Sequence, residues 1–161
     1  MTIKPRNEPA GSRPGLEVPG ARYRGHRALV IGCGRVGSYA AGLLSVGGAE
    51  VVVIDRDPEA FEALSPEFSG FKVVGDASEL AILRRAGAAD ADVLFAATES
   101  DTLNILVTQV ARERFGVETV VARVFLPEWE GTYRDLGIRT ISPVSHAVHA
   151  FLETVVPGGA P

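Results

Sequence analysis

From residue 26 onward, short apolar runs alternate with longer stretches in which apolar residues recur every three or four positions. The runs are Ala28–Ile31, Val51–Ile54, Phe71–Val74, Val93–Ala96, Thr119–Val124 and Ile138–Ile141. Each is apolar almost throughout and favours β-branched side chains, the pattern of strands buried on both faces of a parallel sheet. Between them the spacing predicts helices over Val36–Val46, Pro58–Leu64, Glu79–Ala86, Thr102–Phe115 and Pro127–Leu136. A last helix is predicted over Pro143–Val156.

The helix near Thr102 shows its period most clearly. Leu103, Leu106, Val107, Val110 and Ala111 fall at i, i+3, i+4, i+7 and i+8, a stripe suited to packing on a sheet. Gly116 is a C-cap signal after Phe115. Pro58, Pro127 and Pro143 each stand where a helix should begin, and Ser142 is placed to cap the last one. Six strands alternating with six helices predict an α/β fold. It is a Rossmann-like, doubly wound, six-stranded parallel sheet with helices on both faces.

Residues 1–24 break this pattern. They hold Pro5, Pro9, Pro14, Pro19, Gly11, Gly15 and Gly20 and almost no apolar periodicity. Such a segment buries too little surface to offset its ordering entropy, so residues 1–25 read as a flexible leader. Residues 26–156 then form one domain, and 157–161 a short tail. With 161 residues of which 46% are apolar, the chain has material for one real core. No apolar run is long enough to span a bilayer. A single cysteine, Cys33, excludes an internal disulfide and a cysteine-based zinc site, and fits a reducing cytoplasm.

The net charge of −4 conceals an asymmetry. Residues 1–27 carry six Lys/Arg and two acids, whereas the remainder carries 10 basic and 18 acidic side chains. An acidic body argues against nucleic acid as a partner. The basic arm reads as a solvated tail.

The chemistry sits at the first strand-to-helix turn. There Gly32, Gly34 and Gly37 stand in G-x-G-x-x-G spacing, after a strand and before a helix. Asp55 ends the next strand, 23 residues after Gly32. Together these meet the conditions for a dinucleotide fingerprint. Gly32 permits the tight turn, Gly34 lets backbone approach phosphate, and Gly37 lets the helix pack close to the strand. Backbone N–H groups at the helix start face the phosphates. Gly32, Gly34, Arg35, Val36 and Gly37 are thus candidate contacts, and Arg35 is the loop's one cationic side chain. Asp55 is placed to accept from ribose hydroxyls and to repel a 2′-phosphate, which disfavours NADP. Arg56 lies over the adenine or in solvent. Cys33, between two glycines, reads as a small buried filler.

Two more candidate stretches end strands, where ligands bind open α/β sheets. Gly75-Asp76-Ala77-Ser78 follows the third strand, and Ala96 through Asp101 follows the fourth. Asp76 either receives an adenine amino group or caps the next helix; Ser100 or Asp101 caps the helix from Thr102. Catalytic groups are scarce. His146 and His149 share a face of the last helix, with no third ligand to make a metal site. No nucleophile–base arrangement emerges from the spacing, so no catalytic residue is assigned.

Read together, these segments resemble the regulatory nucleotide-binding domain of bacterial potassium transport. This is the KTN domain, or N-terminal lobe of RCK domains, of Trk- and Ktr-type uptake systems. The resemblance spans roughly residues 26–155. It rests on Val30-Ile-Gly-Cys-Gly-Arg-Val-Gly37, Val53-Ile-Asp-Arg-Asp-Pro-Glu59, Gly75-Asp-Ala-Ser78 and Ala89-Asp-Ala-Asp-Val-Leu-Phe-Ala-Ala-Thr98 with Asp101-x-x-Asn104. Val121-Ala-Arg-Val124 and Leu136-Gly-Ile-Arg-Thr-Ile-Ser-Pro143 complete it. The Gly-Asp-Ala and Ala-Ala-Thr-x-x-Asp-x-x-Asn combination is its most particular part.

The resemblance implies binding of ATP, ADP or NAD(H) without turnover, and gating of a membrane potassium channel or transporter. It implies a homodimer or larger ring, cytoplasmic and peripheral at the inner membrane, with a second C-terminal lobe on a separate protein or absent from an excised piece. By position, Gly32, Gly34 and Gly37 match the phosphate loop, and Arg35 an arginine that reaches the terminal phosphates. Asp55 matches the ribose acid; Asp76 and Ala77 match the adenine wall. Ala97 and Thr98 match the loop facing ribose and phosphates, and Arg123 a basic position near the phosphates. Some relatives carry an acid for a cation after the Ser-Pro turn. Here that position is Val144, so no metal is assigned. The competing readings are a small NAD-dependent oxidoreductase and the same regulatory domain serving another cation transporter.

Overall fold

A computed structural model describes residues 22–155. Most of the expected leader and the expected tail lie outside the described residues. The six strands are β1 (Arg27–Ile31), β2 (Glu50–Asp55), β3 (Phe71–Val74), β4 (Val93–Ala96), β5 (Thr119–Arg123) and β6 (Arg139–Ile141). They form one all-parallel sheet in the order β3-β2-β1-β4-β5-β6. Five α-helices accompany them: α1 (Arg35–Val46), α2 (Leu80–Arg85), α3 (Asp101–Phe115), α4 (Glu130–Asp135) and α5 (Pro143–Val155). The order reverses at β1 and β4, which defines the crevice of a doubly wound sheet.

Alternation along the strands builds two cores. Leu29, Ile31, Ile54, Leu94 and Val120 pack with Leu83 of α2 and with Val107 and Ala111 of α3. Ala28, Val30, Val51 and Val53 face the other way, toward Ala41 of α1 and Phe61. The central strands therefore read as unbroken apolar runs because each face meets its own layer. The edge strands do not follow this rule. Phe71 of β3 is 72% exposed and Ile141 of β6 is 42% exposed, since an edge strand has a neighbour on one side only.

Two expected helices differ from the spacing. Pro58–Ala63 is a 3-10 helix whose N-cap is Asp57, which accepts the Glu59 N–H at 2.9 Å. It buries Phe61 alone, too little to sustain an α-helical stripe. The stretch expected over Pro127–Leu136 divides into a 3-10 turn, Pro127–Trp129, and the short α4. Gly131 in α4 weakens it further. Glu79–Ala86 shortens to α2, with Glu79 and Ala86 as its caps.

Other signals act as expected. Ser100 Oγ accepts the Leu103 N–H and caps α3, and Gly116 closes it at φ +73°. Ser142 Oγ accepts the Ser145 N–H at the start of α5. The body begins slightly before residue 26: Tyr23 N–H donates to the Gly47 carbonyl at 2.9 Å.

Candidate functional site

The carboxyl ends of β1, β2 and β4 converge on the glycine turn. Gly32 adopts φ +90°, a left-handed conformation, and a Cβ there would stand 2.9 Å from the Thr98 nitrogen. The turn is thereby pressed against the loop after β4. A Cβ at Gly37 would collide with the Gly32 carbonyl oxygen, so only glycine lets α1 start so close to β1. A Cβ at Gly34 would meet nothing within 4 Å. Its backbone faces open space at the start of α1, where N–H groups lack helical partners.

Asp55, at the end of β2, is bound to this turn. Its carboxylate accepts the Cys33 N–H at 2.7 Å and the Asp57 N–H at 2.9 Å. A carboxylate offers about four lone-pair sites, so acceptor capacity remains for a ligand's hydroxyls. Val36 is half-buried at the first turn of α1, and Arg35 beside it is exposed. Arg35 borders a hollow of about 520 Å³ between α1 and residues 63–67, shared with Tyr39, Ser65 and Glu67.

The remaining candidates flank this centre. Gly75 N–H donates to the Asp55 carbonyl at 2.9 Å, which sets the loop after β3 beside the end of β2. Asp76 in that loop is exposed and accepts the Ser78 N–H at 2.8 Å. Hydrogen bonding to Ser78 holds its carboxyl below the ordinary value, helped by the positive charge of exposed Arg56. Asp76 thus closes its own turn, while Glu79 is the N-cap of α2. Ala77 is 4% exposed and its side chain belongs to the core, so its backbone is what it offers a ligand. Ala97 lies buried beneath Gly37. Arg123 is half-buried at the end of β5.

Asn104 and Asp101, which the spacing does not assign to ligand contact, organise the β4 side. Asn104 is fully buried. Its Oδ1 accepts from the Thr98 N–H and the Thr98 hydroxyl, at 2.9 and 2.7 Å. Its Nδ2 donates to the carbonyls of Thr98 and Arg123, at 3.0 and 2.9 Å. Asp101 accepts the Phe125 N–H through both oxygens at 2.8 and 2.9 Å, and the Leu126 N–H at 3.2 Å. The Asp-x-x-Asn spacing was the signal for both.

Cys33 is 1% exposed, and burial, with Asp55 nearby, pushes its thiol up from about 9 to about 11. The thiol is therefore neutral and unreactive near pH 8. Iodoacetamide at that pH should leave native protein unmodified and alkylate it once in denaturant, as read by intact mass. Because the native value is the raised one, stability should fall as pH rises from about 9 toward about 11. His146 Nδ1 lies 2.8 Å from the Ser142 carbonyl, a local contact on α5. Among the described residues no three His, Cys, Asp or Glu side chains cluster to hold a metal.

A family model described as the TrkA-N domain matches residues 28–143. The chain belongs to this family. The TrkA-N domain here is 41% identical over 132 residues to the Trk system potassium uptake protein TrkA of Streptomyces coelicolor, covering 82% of this chain and 59% of that one. It is 30% identical over 141 residues to the glutathione-regulated potassium-efflux system protein KefC of an Enterobacter species, covering 87% of this chain and 22% of that one. The chain thus spans less than two thirds of these relatives. Among solved structures, GsuK bound to ADP superposes with a TM-score of 0.69 at 27% identity, over 83% of this chain and 34% of that one. The GsuK channel bound to NAD gives 0.68 at 27% identity, over 80% and 23%.

Proposed function

We propose that this TrkA-N domain is a cytoplasmic regulatory domain that binds an adenine nucleotide (ATP, ADP or NAD(H)) and sets the state of a membrane potassium channel or transporter. The observation that carries this reading is the Asp55 carboxylate, tied to the glycine turn through Cys33 N–H beside the open backbone of Gly34. That arrangement offers hydroxyl acceptors and unpartnered amides side by side, as a ribose phosphate requires. The ADP- and NAD-bound GsuK structures and the potassium-transport relatives support it.

The assigned contacts are Gly32, Gly34, Arg35, Val36, Gly37 and Asp55 for ribose and phosphates, with Arg56, Asp76 and Ala77 on the adenine side. Ala97, Thr98 and Arg123 close the β4–β5 side. The whole of 26–156 acts as one lobe, partnered by a second copy or a larger ring and by a membrane potassium channel or transporter. The role is binding without turnover: the ligand shifts the domain between states by its differential affinity for them.

Calorimetric titration tests this. ADP, ATP or NAD should bind, NADP should bind less well, and NAD should undergo no sustained reduction with a panel of hydroxy acids. Absence of binding by all three, or sustained turnover, would overturn the reading. Arg35 adds a finer expectation. Its exposed guanidinium at the turn should meet terminal phosphates, so Arg35→Ala should weaken ATP by about tenfold and AMP much less, the loss of a charge-assisted contact. Equal losses would place Arg35 away from the phosphates.

A further inference from the structure

The first turn of α3 is bonded to two loops at once, and neither bond set is needed to build the helix. Ser100 already caps it. Asp101 and Asn104 are three residues apart, and each reaches out of the helix. Asn104 holds both the N–H and the carbonyl of Thr98, and with the same amide the carbonyl of Arg123. It is 0% exposed, so no water can replace a lost partner and each broken bond leaves a buried polar group unpaired. Beyond Val124, whose N–H donates to the Ile141 carbonyl of β6, Asp101 holds Phe125 N–H and Leu126 N–H.

The segment so held has little else to fix it. Every residue from Phe125 to Trp129 is exposed, with Phe125 at 59%, Leu126 at 43% and Trp129 at 46%. Trp129 stacks on Tyr133 of α4 with ring centroids 6.2 Å apart. This is an apolar, aromatic surface at the carboxyl edge of the sheet, attached to the candidate site by hydrogen bonds through Asn104 and Asp101. We propose that Asn104 and Asp101 are positioning residues that lock Thr98 to the chain leaving β5, so that a nucleotide seated on Thr98 also orders the exposed segment Phe125–Trp129.

This rests on the adenine-nucleotide reading of the same site. A ligand that fixes the Thr98 backbone removes freedom from Asn104, and α3 passes the constraint to Asp101 and its two amides. The coupling is then a shared loss of mobility, observable as amide protection.

Hydrogen exchange of the full chain with and without ADP, read by mass spectrometry, tests the inference. ADP should slow exchange at residues 32–37 and at 125–129. In Asp101→Ala the first effect should persist and the second should vanish. Asp101→Asn, which keeps one acceptor oxygen, should restore part of it. Asn104→Asp keeps the size and the acceptor but removes the donors to Thr98 and Arg123, and should weaken ADP about tenfold. Protection at 32–37 with none at 125–129 in the unmodified chain would overturn the coupling, as would equal protection at 125–129 in Asp101→Ala. No protection at 32–37 would overturn the nucleotide reading itself, and the positioning role with it.

Discussion

Asp55→Ala should weaken NAD and ADP by more than tenfold. Two effects add. The carboxylate's hydrogen bonds to ribose hydroxyls are charge-assisted and worth about 1.5–3 kcal/mol. Its removal also takes the acceptor from the Cys33 N–H, at 2.7 Å one of two contacts that tie the glycine turn to β2, the other being Gly32 N–H to the Ile54 carbonyl. The turn then loses part of its preorganisation for phosphate. Discrimination separates ligand contact from mere loosening. In the unmodified chain the carboxylate repels a 2′-phosphate, so NAD should bind better than NADP. In Asp55→Ala that preference should collapse, because NADP loses a repulsion while NAD loses an attraction. Calorimetry with both dinucleotides, and a thermal melt to show that the variant folds, reads this out. Unchanged NAD affinity, or a parallel fall for NAD and NADP, would remove Asp55 from the ribose site.

The central strands were legible because burial on both faces leaves a continuous apolar run that few other structures produce. Their observed bounds differ from the runs by a residue or so, as where β2 starts at Glu50 and β5 stops at Arg123. Legibility failed where packing is thin. Pro58–Leu64 has helical spacing and a helix-starting proline, yet only Phe61 finds a core, and the backbone settles into a 3-10 helix. The edge runs carry Lys72, Arg139 and Thr140 where the central runs of β1, β2 and β4 are wholly apolar, but a sequence run does not say on which side a neighbour is missing. The glycine turn could be read in outline, since turn and helix start are local. The work of Asn104 and Asp101 could not. Their partners Arg123, Phe125 and Leu126 lie 19 to 25 residues away, and only the folded sheet brings them together.

Cutting the chain after Ser142, or replacing Phe151 and Leu152 by aspartate, should convert a dimer to monomer. On α5, Val144, Val148, Phe151, Leu152 and Val155 fall at i, i+4, i+7, i+8 and i+11, an apolar stripe on one face. None of the residues of α5 is buried, and Phe151 is 63% and Leu152 50% exposed. One face of the sheet is also incompletely covered. Phe95 pairs with Val121 and so shares its face, and both are only half-buried. An isolated copy would leave this helix and that sheet face in water, which soluble proteins avoid when the patch is large. A second copy can cover both at once through a two-fold contact. Burying a Phe and a Leu at such a contact contributes on the order of 3–6 kcal/mol, which corresponds to about a hundredfold or more in dimer affinity. Sedimentation of the nucleotide-bound chain at micromolar concentration should show a dimer, and the Phe151→Asp, Leu152→Asp chain a monomer. A monomeric unmodified chain would refute the assembly. A dimer that survives the cut after Ser142 would move the contact to α3 or α4, where Leu106 and Leu136 are also exposed.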